Sequence, residues 1–129
     1  MLTKGLQYTS TIEVNNNNTA LAMGSGDLAV FATPSLVALM ENAAMNAVSP
    51  HLPMETTTVG GYIETSHLAP SSVGSTISAT ATLTEVKGRK LSFTIEAFEE
   101  DKLIGKASHI RFIVDKEKFI SSIKKSSIN

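Results

Sequence analysis

Thr33-Pro34-Ser35-Leu36-Val37-Ala38-Leu39-Met40-Glu41-Asn42-Ala43-Ala44-Met45-Asn46-Ala47-Val48-Ser49-Pro50 decides how this chain folds. Its apolar residues fall at Leu36, Val37, Leu39, Met40, Ala43, Ala44 and Ala47, a spacing that predicts a helix of about four turns. Thr33 before Pro34 is a start signal, with Thr as N-cap and Pro at the first helical position. Ser49-Pro50 ends the helix, because the residue before a proline is driven out of the helical region. The run of alanines lets such a helix lie close to a sheet or to another backbone.

Everything around this helix reads as strand. Downstream, Thr56 to Ser66 is the first. Ser75 to Val86 alternates strictly, with Ile77, Ala79, Ala81 and Leu83 on one face and Thr76, Ser78, Thr80, Thr82 and Thr84 on the other. Lys87-Gly88-Arg89 turns the chain. Lys90 to Phe98 then alternates Leu91, Phe93, Ile95 and Ala97 against polar residues, and Leu103 to Val114 is a last long strand. Upstream, Leu6 to Val14 is rich in β-branched residues and predicts a strand, Asn15–Asn18 a loop tip, and Met23–Asp27 a flexible connection. The tail from Lys116 is expected as a short helix or a frayed end. Short turns make antiparallel neighbours, and one helix must cover one face of the resulting sheet. The expected class is α+β: a single domain over 1–129, with one long helix on a curved antiparallel sheet of about five strands. A chain this small closes its exposed flank most readily by dimerising.

The composition narrows the function. The 129 residues are 42% hydrophobic with a net charge of −1, acids and bases being mixed along the chain, which excludes the basic face of a nucleic-acid binder. There is no cysteine, so disulfide frameworks, zinc fingers and cysteine nucleophiles are out. No apolar run reaches the roughly 18 residues that span a bilayer, and the start lacks the pattern of a signal peptide. The expectation is a cytoplasmic protein without a membrane partner.

Few residues can do chemistry. Glu41 interrupts a hydrophobic stripe in mid-helix; it is either a solvent-edge residue or a general base or nucleophile. His67 ends a strand and shares parity with Ile63, so it points to that residue's face; a strand-end histidine held by backbone explains it equally well. Thr33 is explained as an N-cap, yet the helix start beside it also suits a developing oxyanion. Gly60 and Gly61 inside a strand suggest a bulge or the close approach of another group. His109 and Arg111 share a strand face, where they bind an anion or form an edge ion pair. Arg89, with Lys87 and Lys90 at a hairpin, is a solvated turn or a phosphate contact. His51 reads as a loop residue.

Taken in order, Val30–Ala44, Thr57–Gly61, Thr65–Gly74, Leu83–Phe93, Ile104–Arg111 and Glu117–Phe119 resemble the fluoroacetyl-CoA-thioesterase-like branch of the hotdog superfamily, from about Val30 to Phe119. The resemblance implies a hotdog fold, a homodimer or tetramer, and hydrolysis of an acyl-CoA with no cofactor beyond the coenzyme A of the substrate and no metal. It implies Thr33, Glu41 and His67 as catalytic residues, and Gly60 as a glycine whose backbone approaches the substrate carbonyl; Gly61, Arg89 and Arg111 are taken with it as substrate-binding. The sequence departs from the family in the serines between His67 and Gly74, in Ile110 within His109-Ile110-Arg111, and in Met23–Ala29, which has no aromatic residue. Selectivity for a fluorinated acyl group is therefore not implied.

One constraint comes from geometry alone. Thr33 and Glu41 are eight residues apart, about 12 Å along a straight helix, too far to serve one reacting atom from one chain. Either the site is built at a dimer interface or Thr33 lies on a bend. Two rival functions share the fold: a dehydratase or hydratase, whose usual histidine context is absent here, and a non-catalytic dimer that binds an acyl-CoA or another small ligand.

Overall fold

The computed structural model describes residues 1–128, with side chains through Lys124. Strand β1 (Gln7–Glu13) is followed by a short helix α1 (Ala20–Met23), the long helix α2 (Thr33–Val48) and a 3-10 turn at Ser49–His51. Four strands come next, β2 (Thr56–His67), β3 (Thr76–Lys87), β4 (Lys90–Glu99) and β5 (Lys102–Asp115), and helix α3 (Lys116–Ile128) closes the chain. The five strands form one antiparallel sheet in the order β1-β3-β4-β5-β2.

The expected alternation is realised in the core. Ile77, Ala79, Ala81 and Leu83 of β3 are fully buried, as are Leu91, Phe93, Ile95 and Ala97 of β4. The helix buries Leu36, Leu39, Met40, Ala43, Ala44, Ala47 and Val48 against them. Alanines on both surfaces allow the close approach that the sequence suggested. The Ser10 hydroxyl donates to Asn42 Oδ1 at 2.7 Å and pins the helix over β1. A sheet curled around one long helix is the hotdog arrangement.

Gly105 shows how tight this wrapping is. A Cβ there would stand 2.9 Å from Leu36 Cδ2 and 3.2 Å from the Ser66 carbonyl oxygen. Overpacking of this kind typically destabilises by about 1–3 kcal/mol. Gly105→Ala is therefore expected to lower the urea midpoint by an amount in that range, without a change in the slope of the transition.

The connection expected over Met23–Asp27 is irregular from Gly24 on, but the stretch before it is not: Thr19 caps α1, its hydroxyl accepting from the Ala22 N–H at 3.2 Å, and Gly24 ends it in the left-handed region at φ 75°. Thr33 is not the N-cap of α2. That position is Ala32, whose side chain has no oxygen to cap with, and Thr33 is the first helical residue. The Thr33 hydroxyl is thereby released for another partner.

Candidate active site

Of the residues singled out in the sequence, Thr33 with His67 and Glu41 with Gly60, His109 and Arg111 gather in two places. The first is the start of α2. Thr33 Oγ1 lies 2.8 Å from His67 Nδ1, joining the first helical residue to the last residue of β2. Phe31 packs edge-on to the imidazole, with ring centroids 6.4 Å apart. His67 Nε2 is buried and has no hydrogen-bond partner among the described residues. A cavity of about 340 Å³ opens beside the pair, walled by Ala20, Ser25, Val30, Leu68 and Ala69. The helix end that faces it has no side-chain cap, and Pro34 lacks an N–H, so the Thr33 and Ser35 N–H groups carry the partial positive charge of this end.

The second place is two turns further along α2. The half-buried Glu41 places its carboxylate over Gly60: a Cβ on Gly60 would stand 3.1 Å from Glu41 Oε2, 3.5 Å from His109 Cε1 and 3.6 Å from Arg111 Nη1. A side chain here would crowd the carboxylate, and the β2–β5 register slips at this point, between Gly60 and Tyr62. Gly61, the extra residue, faces the other side, where the Phe112 ring lies across it.

Beneath Glu41 the polar groups are fixed in a chain. Arg111 is only 7% exposed; its Nε donates to Thr58 Oγ1 at 2.8 Å and its Nη2 to the Thr58 carbonyl oxygen at 3.0 Å. His109, 1% exposed, has Nδ1 2.7 Å from the Tyr62 carbonyl oxygen and Nε2 3.3 Å from Arg111 Nη1. A carbonyl can only accept, so Nδ1 carries the proton and Nε2 accepts from the guanidinium. The edge ion pair considered for His109 and Arg111 is not what forms, because β5 is an interior strand. Arg111, expected as a substrate-binding residue, points its guanidinium into this buried chain. Burial lowers the Arg111 pKa and the Glu41 charge raises it; the guanidinium stays cationic.

Burial lowers the pKa of both site histidines. Burial pushes His67 below its ordinary 6.5. For His109 burial again dominates in the lowering direction; the Tyr62 carbonyl opposes it, Arg111 adds to it, and Glu41 opposes it. The sign for stability follows by linkage. The unfolded chain takes up these protons near 6.5, before the folded chain does, so stability is full above that pH and falls as pH drops toward the folded values. The urea midpoint is expected to decline between pH 7 and pH 5, above the carboxylate range, and His109→Gln should flatten that decline. A midpoint that holds steady over this interval would remove the argument.

Sequence reasoning missed Thr58 as the anchor of Arg111, and the wall supplied by Ala20 and Ser25. Thr58 was signalled by parity, since it shares the inward face with Gly60. The wall carried no signal, because it depends on how α1 folds back. His51 sits exposed in the 3-10 turn, as a loop residue should. Arg89 is exposed at the β3–β4 hairpin, away from both groups.

Comparison with known proteins bears on the family and the fold. Residues 14–117 match the sequence profile of the fluoroacetyl-CoA-specific thioesterase family, FlK. A fluoroacetyl-CoA thioesterase of Streptantibioticus cattleyicolor is 35% identical over 98 residues, which span 76% of this chain and 70% of that protein. A crystal structure of FlK in a phenylalanine-to-alanine variant superposes with a TM-score of 0.91 at 29% identity, covering 98% of both chains. A Thermus thermophilus protein of the thioesterase superfamily superposes at 0.90 with 24% identity, over 98% of this chain and 94% of its own, and speaks for the fold alone.

Proposed function

We propose that this chain, which belongs to the fluoroacetyl-CoA-specific thioesterase family, hydrolyses the thioester of a small acyl-CoA at a site shared between two copies of itself. It is a thioester hydrolase acting on acyl-CoA, and it folds as a hotdog domain. No helix among the described residues is long and apolar enough to cross a membrane. Acyl-CoA is an intracellular metabolite, which supports a cytoplasmic setting.

The observation that carries the reading is Glu41 seated over a bare Gly60, with Arg111 and His109 behind it. In this mechanism the Glu41 carboxylate takes a proton from water as the water oxygen attacks the thioester carbon; attack by the carboxylate itself, through an anhydride that water then opens, balances equally. The carbonyl oxygen gathers negative charge and is stabilised by backbone N–H groups at the α2 start and near Gly60. The carbon–sulfur bond breaks, the thiolate of coenzyme A takes up the proton, and the free acid leaves. His67, oriented by Thr33, supplies a polar atom to the leaving group. Arg111 serves as a positioning residue: tied twice to Thr58, it offers Glu41 a fixed positive charge that does not touch the substrate.

Within one chain Thr33–His67 and Glu41 are about two turns of helix apart, as the eight-residue spacing requires. A dimer resolves this. β2 is an edge strand of 12 residues with no proline or lysine and a single charge, Glu64, so beyond the bulge at Gly60 its edge is open to pairing. Antiparallel pairing of two β2 strands centred on Ile63–Glu64 brings Gly60 and Glu41 of one copy to His67 and Thr33 of the other. It also gives the buried, unpartnered His67 Nε2 a polar neighbour.

Two measurements test this. Thiol release from a panel of short, branched and aromatic acyl-CoAs should show turnover; tight binding of one with no turnover of any would make the protein a ligand-binding dimer instead. Mixing inactive Glu41→Gln with inactive His67→Ala subunits should then restore about a quarter of wild-type activity, since random pairing makes half the dimers mixed, each with one intact site. Failure of the mixture to regain activity, once subunit exchange is verified, would place the whole site within one chain.

A further inference from the structure

We propose that the groove between the open edge of β1 and helix α2 binds a medium-chain carboxylic acid, whose carboxylate at Ser35 draws on the same helix end that serves the reaction. The regulatory half of the proposal rests on the hydrolase reading above. The groove has a volume of about 620 Å³, within the roughly 300–1,000 Å³ of small-molecule sites. Tyr8, Ile12, Pro34, Ala38 and Leu39 give it apolar surface, and among the described residues no charged side chain lines it. β1 and β2 stand at opposite ends of the strand order, so pairing of two copies through β2 leaves this groove open.

Ser35 supplies the polar end. It is only 8% exposed and lines the groove, yet its hydroxyl has no hydrogen-bond partner among the described residues. A polar group taken out of water without a partner is destabilising, and a ligand that supplies the partner is held by it. The Ser35 backbone N–H is free as well: the first helical bond of α2 runs from the Leu36 N–H to the Ala32 carbonyl oxygen at 3.0 Å. One residue thus offers two donors at the positive end of a 16-residue helix that has no side-chain cap. A carboxylate answers both donors with two oxygens and a negative charge. An amide or an alcohol brings one oxygen and no charge.

The rest of the groove sets the tail. Ser35 and Asn42 both line it and stand about 10 Å apart along the helix axis. Ala38 and Leu39 lie between them on the helix, and Ile12 lines the strand side. At the far end Asn42 Oδ1 already accepts from the Ser10 hydroxyl at 2.7 Å, so no second polar group is asked of the ligand there. The groove therefore selects a hydrocarbon tail longer than the small acyl group of the substrate. Its link to the reaction is the start of α2. Ser35 stands two residues from Thr33, about 200° around the helix, so the groove and the cavity beside His67 open on opposite flanks of one turn. An anion at Ser35 neutralises part of the helix-end charge and leaves less of it for the oxyanion on the other flank. The acid then lowers kcat without competing for the substrate.

The test titrates octanoate into the protein and follows chemical shifts at Ile12, Ala38 and Leu39. Saturable shifts are expected with octanoate. Acetate, which lacks the tail, and octanamide, which lacks the charge, should each bind at least about tenfold more weakly. Ser35→Ala keeps the backbone N–H and loses the hydroxyl, and should weaken octanoate about tenfold. Ala38→Phe, at an exposed helix position, fills the groove and should abolish the shifts at Ile12 and Leu39 while turnover persists; it decides the matter if Ser35→Ala does not fold. In the wild type octanoate should lower kcat and leave KM unchanged, and Ala38→Phe should escape that inhibition. Unmoved resonances overturn the proposal, and so does acetate or octanamide binding as well as octanoate. Inhibition that competes with the acyl-CoA and survives in Ala38→Phe would put the acid in the active site and overturn it too. Saturable binding with kcat unmoved would overturn the regulatory half. Absence of any turnover would count against the hydrolase reading, while the shifts would still decide the groove.

Discussion

Glu41→Gln is expected to lower thiol release from acyl-CoA by about 10²- to 10⁴-fold, the range for removal of a positioned base, while the protein remains folded. The substitution keeps the size and shape of the side chain, so its position over Gly60 persists. What disappears is the charge, and with it both candidate roles: an amide neither takes a proton from water nor attacks a thioester. The helix should not notice, since Glu41 contributes no packing that glutamine lacks and Leu39, Met40, Ala43 and Ala44 hold the core around it. Circular dichroism and a urea titration next to the assay separate loss of chemistry from loss of fold. Substantial turnover in a folded Glu41→Gln protein would refute the assignment.

Arg111→Met is expected to lower kcat by about 10²-fold and leave KM within a few-fold, because misplacing a reacting group by about 1 Å is enough for such a loss. The guanidinium is buried and bonded to Thr58 through two of its nitrogens, so it acts on the substrate only through Glu41. Its removal also leaves the Thr58 carbonyl without that donor, so some stability should be lost as well. Stability alone does not decide the role; the split between kcat and KM does. A residue that binds the substrate directly, the role expected of Arg111 from sequence, would instead raise KM and spare kcat. Arg111→Lys should recover part of kcat, because it restores the positive charge without the planar fork that holds Thr58. A lysine variant no better than the methionine one would argue that charge is irrelevant and only packing matters.

The two predictions turn on residues of unequal legibility. Glu41 was visible because a carboxylate inside a hydrophobic stripe breaks a pattern, and patterns are a local property of sequence. His67 was visible as the end of a strand whose parity pointed inward. Arg111 was visible too, but its meaning was not: on an edge strand the same residue would be solvated. Only the order β1-β3-β4-β5-β2, which puts β5 in the interior, turns it into a buried partner of Glu41. Thr33 shows the opposite error. A threonine before a proline reads as a cap, and the local rule is sound, yet the hydroxyl bonds a histidine 34 residues away instead.

The sequence by itself determined the elements and their faces: one alanine-rich helix, the alternation of β3 and β4, the hairpin turns, and hence a helix wrapped by an antiparallel sheet. Those follow from periodicity and turn chemistry, which act over a few residues. The tertiary structure alone decided which polar residues meet. The pairing of β2 with β5, the bulge at Gly60 and the path of α2 across the sheet bring Thr58, Gly60, His109 and Arg111 to Glu41, and His67 to Thr33. Such contacts depend on strand order and register, which are set by the packing of the whole core, so no local pattern encodes them.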